Sequence, residues 1–299
     1  MTSRKFQEIC LVDITSLLTA DLTKIRSLSA KKMKHFKSAP RGSATLAAWF
    51  GDADCALISR NISVDARVLE ACPNLKYIGV YGTGLDQIDL RAARKRGIVV
   101  AGIGDYCNRE TAEFVLAQIY LATRSLGPLS LKAEPQSVQG TVLGVVGMGR
   151  VGQELALLAL ANGLDVFYFS AARNRAIEGK GVGFLPLKKL MRKCEIISFH
   201  TPPDRRILSK SMFSTLPDGK LLISTSHDGA WDDAGFAAWI KNPKNMVVFD
   251  ALAADSFQSL RGHRNVVLSK RYAYLTRQSR ERRSMLLVKS LCDFLKKAK

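Results

Sequence analysis

The sequence has no run of apolar residues long enough to cross a membrane. A spanning helix needs about 20 consecutive, mostly uncharged residues, and none of the apolar stretches of the 299-residue chain approaches that length. The first residues, MTSRKFQEICLVDITSLL, carry charges within their apolar part and lack a small-residue cleavage site, which argues against a signal peptide. We therefore expect a cytoplasmic protein with no membrane partner.

Cysteine and histidine are also scarce, and neither is clustered. The 6 cysteines stand singly, with no CxxC motif and no cysteine–histidine group, so we expect no metal site. Most cysteines lie in apolar surroundings and are predicted to be reduced and buried. The 4 histidines are His35, His200, His227 and His263. We predict that His35 and His263 are exposed loop residues.

Acidic residues are few, at 26 against 45 lysines and arginines, which gives a net charge of +19. The basic clusters are KKMKHFK at 31–37, RAARKR at 91–96 and the C-terminal helix. They are far apart in the sequence, and no aromatic-rich platform for single strands accompanies them. We therefore favour a solvated basic surface that attracts small anions and phosphorylated cofactors over a nucleic-acid partner, and a nucleic-acid-associated scaffold is the weaker alternative.

Short runs rich in Val and Ile alternate with helical patterns through most of the chain. The predicted strands are residues 8–13, 55–59, 76–81, 98–102, 141–147, 165–169, 195–200, 220–225, 246–250 and 265–269. They lack clean alternation, which is typical of parallel strands buried on both faces. The alternation of strands and helices predicts an α/β protein with doubly wound parallel sheets. Residues 126–140 contain two prolines and are predicted to be a connector.

The most specific motif is the glycine pattern in TVLGVVGMGRVGQELA. A Val-rich strand leads into Gly147, Gly149 and Gly152 and then directly into a helix. Such glycines permit a tight turn, a close approach of the backbone to a pyrophosphate, and close packing of helix on strand. The helix N-terminus adds free N–H groups for the phosphates. The pattern predicts a dinucleotide-binding loop.

The end of the next strand bears on the choice of cofactor. An acidic residue is common about 20 positions after the glycines, where it binds the ribose hydroxyls. Here LDVFYFSAARNR places Ser170 at that point, followed by Arg173 and Arg175. A hydroxyl with guanidinium groups suits a 2′-phosphate better than a free hydroxyl. This favours NADP, with NAD as the alternative; surface solvation is the other explanation for the arginines.

Several motifs, in order, resemble the D-isomer-specific 2-hydroxyacid dehydrogenases, which include phosphoglycerate dehydrogenase and glyoxylate/hydroxypyruvate reductase. The segments are LKYIGVYGTGLDQIDLRAARKRGIVVAG, DYCNRETAEFVLAQIYLATR, GVVGMGRVG and FHTPPDRRILSKSMFSTLPDGKLLIST. The resemblance implies two Rossmann-like domains. A split, flavodoxin-like substrate domain, residues 1–110 plus 275–299, would enclose a dinucleotide-binding domain at residues 111–274.

The resemblance also implies roles for individual residues. Gly82, Thr83 and Gly84 would bind the substrate carboxylate, and Asp250 would meet the nicotinamide carboxamide. The implied cofactor contacts are Gly147, Gly149, Arg150, Val151, Gly152, Ser170, Arg173, His200, Thr201, Pro202, Thr225, Ser226 and Asp250.

At the catalytic positions the chain departs from the family pattern. His227 stands where relatives have arginine, Arg271 stands where they have the catalytic histidine, and Asp255 takes the place of the acidic partner. Histidine titrates in the range that proton transfer to a ketone requires, whereas arginine keeps its proton. Either the roles are exchanged, with His227 as acid and Arg271 as carboxylate binder, or the triad is altered. Tyr272 or Tyr274 as an unrecognised acid is a third reading.

We therefore expect an oxidoreductase that transfers hydride between NAD(P)H and a small, anionic 2-keto or 2-hydroxy acid. The alternative is a catalytically altered or inactive family member that binds nucleotide as a sensor, scaffold or assembly subunit. The connector lacks the tryptophan-bearing segment that contributes to dimer formation in relatives, so a homodimer is left open.

Overall fold

The structure is a computed structural model that describes residues 4–202, 205–226 and 229–297. The chain divides into two compact units. Unit 1 is Met1–Tyr106 with Thr276–Lys299, and unit 2 is Cys107–Leu275. The domain boundaries predicted from the sequence follow residues 110 and 274. Over the described ranges, every helix is too short or too polar to cross a membrane.

Both sheets consist of short strands. In unit 1 the strands are β1 (Ile9–Val12), β2 (Lys34–Phe36), β3 (Cys55–Ser59), β4 (Tyr77–Tyr81) and β5 (Val99–Gly102). In unit 2 they are β6 (Val142–Val146), β7 (Asp165–Phe169), β8 (Gly183–Phe184), β9 (Ile196–Phe199), β10 (Leu221–Ser224), β11 (Met246–Phe249) and β12 (Val266–Leu268).

Helices connect the strands. They are α1 (Thr19–Ser27), α2 (Ser43–Phe50), α3 (Ala66–Glu70), α4 (Leu90–Lys95), α5 (Asn108–Thr123), α6 (Arg150–Ala161), α7 (Arg175–Glu178), α8 (Leu187–Lys193), α9 (Lys210–Phe213), α10 (Asp233–Trp239), α11 (Ala251–Ala254) and α12 (Arg277–Lys297). A 3₁₀ helix, Asp255–Leu260, follows α11. Several helices begin where an aspartate accepts a backbone N–H, as Asp65 does from Val68 at 2.9 Å, which satisfies a donor that the first turn leaves without a partner.

The unit 1 sheet has the strand order β2-β1-β3-β4-β5, and all its pairings are parallel. This is the flavodoxin-like order. The unit 2 sheet has the order β12-β11-β10-β9-β6-β7-β8, again parallel throughout. This is the Rossmann order with one additional strand. The predicted fold class, two doubly wound parallel sheets, is confirmed.

The central strands are buried on both faces, as their unbroken Val and Ile runs predict. All residues of β3 except its last, and all of β4, β9, β10 and β11, are buried. Helix α6 buries Gly152, Leu155, Ala156 and Ala159, positions three, four and seven residues apart that share one helix face. Helix α5 packs against α6 within unit 2.

Two sequence predictions fail. His35 is not in an exposed loop: it lies in β2, half-buried, with Nε2 at 3.2 Å from the Ile14 carbonyl oxygen. The strand was missed because lysines surround it, and Lys34 is balanced by an ion pair with Glu8 at 3.1 Å.

The second failure concerns residues 126–140, which do not form a connector. They lie in unit 2, with Leu129 and Val138 buried in its core. Two backbone bonds tie the segment to the end of α5: Leu131 N–H donates to Ala122 at 3.0 Å and Gln136 N–H to Thr123 at 2.8 Å. Polar and proline-rich composition predicted a linker, but two apolar side chains are enough to hold the segment on the core.

Candidate active site

The strand order of unit 2 reverses direction between β6 and β9. In open α/β sheets, the carboxyl ends of the strands at such a point form the ligand-binding crevice. Gly147 directly follows β6, and His200 directly follows β9. The Gly147 N–H donates to the Phe169 carbonyl at 2.8 Å, and the His200 N–H donates to that of Val146, also at 2.8 Å. The predicted cofactor loop therefore lies at the crevice.

The three glycines of this loop have different surroundings. Gly147 has φ +98°, a conformation that favours glycine, and a Cβ there would collide with the His200 carbonyl oxygen. A Cβ on Gly152 would collide with the carbonyl oxygen of Gly147. Gly149, by contrast, has no atom within 4 Å of where its Cβ would stand. The loop is therefore closely packed at Gly147 and Gly152, whereas the space beside Gly149 is open.

This open space lies at the start of α6. Gly149 is the residue before the helix, and no side chain caps it, so first-turn N–H groups are available to an anion. Arg150 and Val151 begin the helix; Arg150 is exposed. These residues fit the pyrophosphate of a dinucleotide.

The end of β7 carries a feature that the sequence did not reveal. Arg173 donates to Glu178 through Nε at 3.0 Å and Nη2 at 2.7 Å. Arg175 adds a bond to the same carboxylate at 3.1 Å, and the Tyr168 hydroxyl donates to it at 2.7 Å. The Arg173 guanidinium and the Tyr168 hydroxyl lower the pKa of Glu178 to about 2. The predicted phosphate-binding arginine is thus paired within the protein, beside a half-buried Ser170.

His200 is held at the crevice as a neutral imidazole. Its Nε2 lies 2.8 Å from the hydroxyl of Ser198, a fully buried residue. Burial lowers the pKa of His200 to about 4, since a charged ring loses its hydration there. The neighbouring Thr201 places its methyl group near Gly147, and Pro202 is exposed. A ring that is neutral near neutral pH does not serve there as a general acid.

His227 and Asp228 lie outside the described residues, whereas the residues on either side of them are well anchored. On one side, the Ser226 hydroxyl donates to the Thr201 carbonyl at 3.3 Å, which links the ends of β10 and β9. On the other side, Trp231 is fully buried and stacks on Phe236 with ring centroids 4.8 Å apart. Thr225, which directly follows β10, is half-buried.

Asp250 is occupied by backbone groups. It is 1% exposed, and its two carboxylate oxygens accept the N–H groups of Ala253 at 3.0 Å and of Ala273 at 2.9 Å. Burial raises the pKa of Asp250, and these backbone hydrogen bonds oppose that rise. The residue caps α11 and ties it to the segment after β12.

Asp255 and Arg271 are both exposed. Among the ion pairs of the described ranges, none joins these two residues. Asp255 instead lines a cavity of about 430 Å³ together with Lys270 and Tyr272. The Arg271 backbone carbonyl accepts the N–H of Ala251 at 2.9 Å, so its main chain is held while its side chain faces solvent.

In unit 1, the Gly82–Gly84 loop follows β4. The Thr83 hydroxyl donates to the Ile103 carbonyl at 3.0 Å, and the Ile103 N–H donates to Gly82 at 2.8 Å. Arg60 was missed in the sequence analysis. Its Cβ would be 3.3 Å from a Cβ on Gly82, and its Nε 3.0 Å from one on Gly84. The signal was available, because Arg60 directly follows β3, the parallel neighbour of β4.

Comparison with known proteins agrees with this architecture. The sequence model of the D-isomer specific 2-hydroxyacid dehydrogenase catalytic domain matches residues 16–299. The chain therefore belongs to the D-isomer specific 2-hydroxyacid dehydrogenase family, a family of oxidoreductases. Hydroxypyruvate reductase of Blautia hydrogenotrophica is 24% identical over 269 residues, 82% of this chain and 83% of the relative. Glyoxylate reductase of Aeropyrum pernix is 28% identical over 258 residues, 77% and 76% of the two chains.

Solved structures share the fold over nearly the whole chain. D-lactate dehydrogenase from Aquifex aeolicus, complexed with NAD and lactic acid, matches with a TM-score of 0.80 at 22% identity, covering 97% of this chain and 95% of that one. An acyclic imino acid reductase in complex with NADPH and D-Arg matches with a TM-score of 0.82 at 24% identity, covering 97% of each chain. At these identities the likeness establishes the fold.

Proposed function

We propose that this protein is a nicotinamide-dependent reductase of a small 2-keto acid, in which histidine and arginine have exchanged catalytic positions. The observation that carries the proposal is the glycine loop at the reversal point of the unit 2 sheet, packed beneath Gly147 and open above Gly149. The relatives that act as hydroxypyruvate and glyoxylate reductases suggest the substrate class.

The cofactor contacts follow from the positions of the residues. Gly149 and the first turn of α6 would receive the pyrophosphate, with Arg150 and Val151 at its edge. Thr201 and His200 would line the crevice. NADP is the proposed cofactor because Ser170 stands in place of a carboxylate at the end of β7, and its use requires Arg173 to exchange Glu178 for the 2′-phosphate. When bound, the nicotinamide supplies or accepts the hydride.

The substrate carboxylate is assigned to the Gly82–Gly84 loop and Arg60. Arg60 lies against both glycines and is held by an ion pair with Asp86 at 3.4 Å, in which the two side chains are 36% and 60% exposed. An exposed pair of this kind contributes little stability, so the guanidinium is free to move toward an anionic substrate at little energetic cost.

Proton transfer is assigned to His227. As hydride reaches the carbonyl carbon, the developing alkoxide needs a proton donor, and imidazole titrates in the required range. Arg271 would bind the carboxylate or the carbonyl oxygen through its planar fork. Asp255 forms no ion pair with Arg271, so the Arg271 guanidinium is available to the substrate.

The test begins with fluorescence titrations of the purified protein with NADPH and NADH, followed by a screen of 2-keto acids with the better cofactor. His227→Asn should abolish reduction while cofactor affinity stays nearly unchanged. Arg271→Lys should mainly raise KM, because lysine lacks the bidentate geometry. Small and equal effects of both changes would show that neither residue carries the chemistry.

A second function is supported by the residue types at the positions that the resemblance assigns to catalysis, where His227 and Arg271 replace the family's arginine and histidine. In that case the protein binds the dinucleotide without turnover, as a sensor, scaffold or assembly subunit. Tight NADPH binding without reduction of any 2-keto acid would select this function. Absence of binding to either nucleotide would reject both functions.

A further inference from the structure

Part of each basic cluster lies at one edge of the unit 1 sheet, although the clusters are far apart in the sequence. The strands of this sheet are parallel, so their amino ends share one edge, and the Gly82–Gly84 loop lies at the opposite one. The register aligns Ile9 with Cys55, Cys55 with Tyr77, and Tyr77 with Val99. The segments that enter these strands therefore lie side by side.

Two residues of each of the first two clusters precede strands. Lys31 and Lys32 lead into β2, and the Lys31 N–H donates to the Gln7 carbonyl at 2.9 Å, just before β1. Arg94 and Lys95 end α4, whose chain turns at once into β5. Both basic pairs thus lie at the amino edge, beside the two outermost strands of the sheet.

The C-terminal end of α12 reaches the same edge through aromatic packing. Phe294 of α12 stacks on Phe6 with centroids 5.6 Å apart and packs against Tyr77 at 4.8 Å. Phe6 precedes β1, and Tyr77 is the first residue of β4. Lys296 and Lys297, in the last turn of α12, consequently lie at the amino edge on one face of the sheet.

Further exposed basic residues complete this edge, which we name the basic rim. Its members are Arg4, Lys5, Arg26, Lys31, Lys32, Lys76, Arg94, Lys95, Lys296 and Lys297. All are exposed, and within residues 4–202, 205–226 and 229–297 none of them forms a salt bridge.

The acidic residues of the same edge only partly offset this charge. Glu8 is paired with Lys34 at 3.1 Å, Asp54 is buried, and Asp293 is paired with Lys289 at 2.7 Å. Asp52 and Glu70 are exposed. The rim thus has a strong excess of positive charge that no role in the crevice of unit 2 explains.

We propose that the basic rim binds the phosphate backbone of double-stranded nucleic acid without reading its sequence. Five strands spaced about 4.8 Å apart spread the charges over about 20 Å, a length over which a duplex presents many phosphates. The rim offers no aromatic side chain on which single-stranded bases would stack. Of the large apolar side chains exposed in the described residues, Val99 alone lies there, which disfavours insertion into a bilayer.

Fluorescence anisotropy of a labelled 20-base-pair duplex of random sequence, titrated with the full chain in 50–200 mM KCl, tests this inference. The rim variants are the double changes Lys31→Glu/Lys32→Glu, Arg94→Glu/Lys95→Glu and Lys296→Glu/Lys297→Glu. The matched control is Lys188→Glu/Lys189→Glu, an exposed pair in α8 of unit 2, which changes the net charge equally.

Each rim variant should lower duplex affinity by at least about tenfold at 100 mM salt and reduce the salt dependence by about two counterions. The control should change affinity by less than about twofold. Equal losses in control and rim variants would overturn the proposal, since net charge alone would then explain binding. So would absence of binding at 50 mM salt, or binding to vesicles of 30% phosphatidylserine that the duplex fails to displace.

Folding of each variant is checked by its thermal transition and by NADPH titration of unit 2. If a glutamate variant unfolds, the same positions are changed to glutamine, which removes the charge without placing a carboxylate at a helix C-terminus. The glutamine variants should then lose duplex affinity about threefold or more, and unchanged affinity would reject the rim as the binding surface.

Discussion

Arg173 binds Glu178 through two parallel hydrogen bonds, at 3.0 and 2.7 Å. The same guanidinium lies over the Phe184 ring at 4.7 Å. The arginine that the sequence assigns to a 2′-phosphate is thus bound to the carboxylate of Glu178. Cofactor preference then depends on whether a phosphate competes successfully with Glu178.

Glu178→Gln should strengthen NADPH binding by about three- to tenfold relative to NADH, because the neutral amide releases the guanidinium for the phosphate. Titrations of both nucleotides measure the ratio. Glu113→Gln removes a similar carboxylate that pairs with Arg109 at 2.9 Å and should leave the ratio unchanged. If Arg173→Gln also leaves the ratio unaltered, Arg173 has no part in cofactor choice.

Gly149→Ala and Gly147→Ala should separate binding from folding. At Gly149 φ is −74° and the added methyl meets no atom, so the melting temperature should stay within about 2 °C while dinucleotide affinity falls at least tenfold. At Gly147 the positive φ and the collision with His200 should lower stability by about 1–3 kcal/mol or more. Nucleotide affinity that survives Gly149→Ala would place the pyrophosphate elsewhere.

His200 should make stability depend on pH. Its folded pKa of about 4 lies below the ordinary value near 6.5, so the unfolded chain binds the proton more tightly. The free energy of unfolding is therefore at its full value above about pH 6.5 and falls as the pH drops toward 4, by on the order of 3 kcal/mol in total. Urea unfolding of the protein and of His200→Asn should therefore converge or cross on acidification, with His263→Asn as the exposed control. Parallel pH profiles would refute the assignment.

Asp250→Asn should destabilise unit 2 by about 1–3 kcal/mol, because an amide NH₂ would face one of two buried backbone N–H groups. Urea denaturation measures the loss. Asp233→Asn, which breaks an exposed pair with Arg206 at 2.8 Å, should change stability by less than about 1 kcal/mol. A stability loss equal to that of the control would mean that the hydrogen bonds of Asp250 to α11 and to Ala273 do not stabilise unit 2.

The strands and the nucleotide loop were readable from local sequence for a physical reason. Strands buried on both faces need unbroken Val and Ile runs. Glycine is required at positions 147 and 152, because a Cβ there would collide with the carbonyl oxygen of His200 or of Gly147. The β2 and β8 strands were not predicted, because edge strands of two or three residues have no hydrophobic pattern. Residues 126–140 were misjudged since Leu129 and Val138 are buried by tertiary packing alone.

The sequence by itself determined the fold class and the glycine loop, because these depend on residue periodicity and on a motif confined to one segment, and the resemblance of several motifs in order indicated the dehydrogenase family. Tertiary structure alone decided that Glu178 binds Arg173, that Arg60 lies against Gly82 and Gly84, and that Asp250 serves the backbone. It also decided that three basic pairs share one edge, namely Lys31 with Lys32, Arg94 with Lys95, and Lys296 with Lys297. Parallel strands bring distant segments to a common edge, and pairings across that edge follow from strand order, which local sequence does not encode.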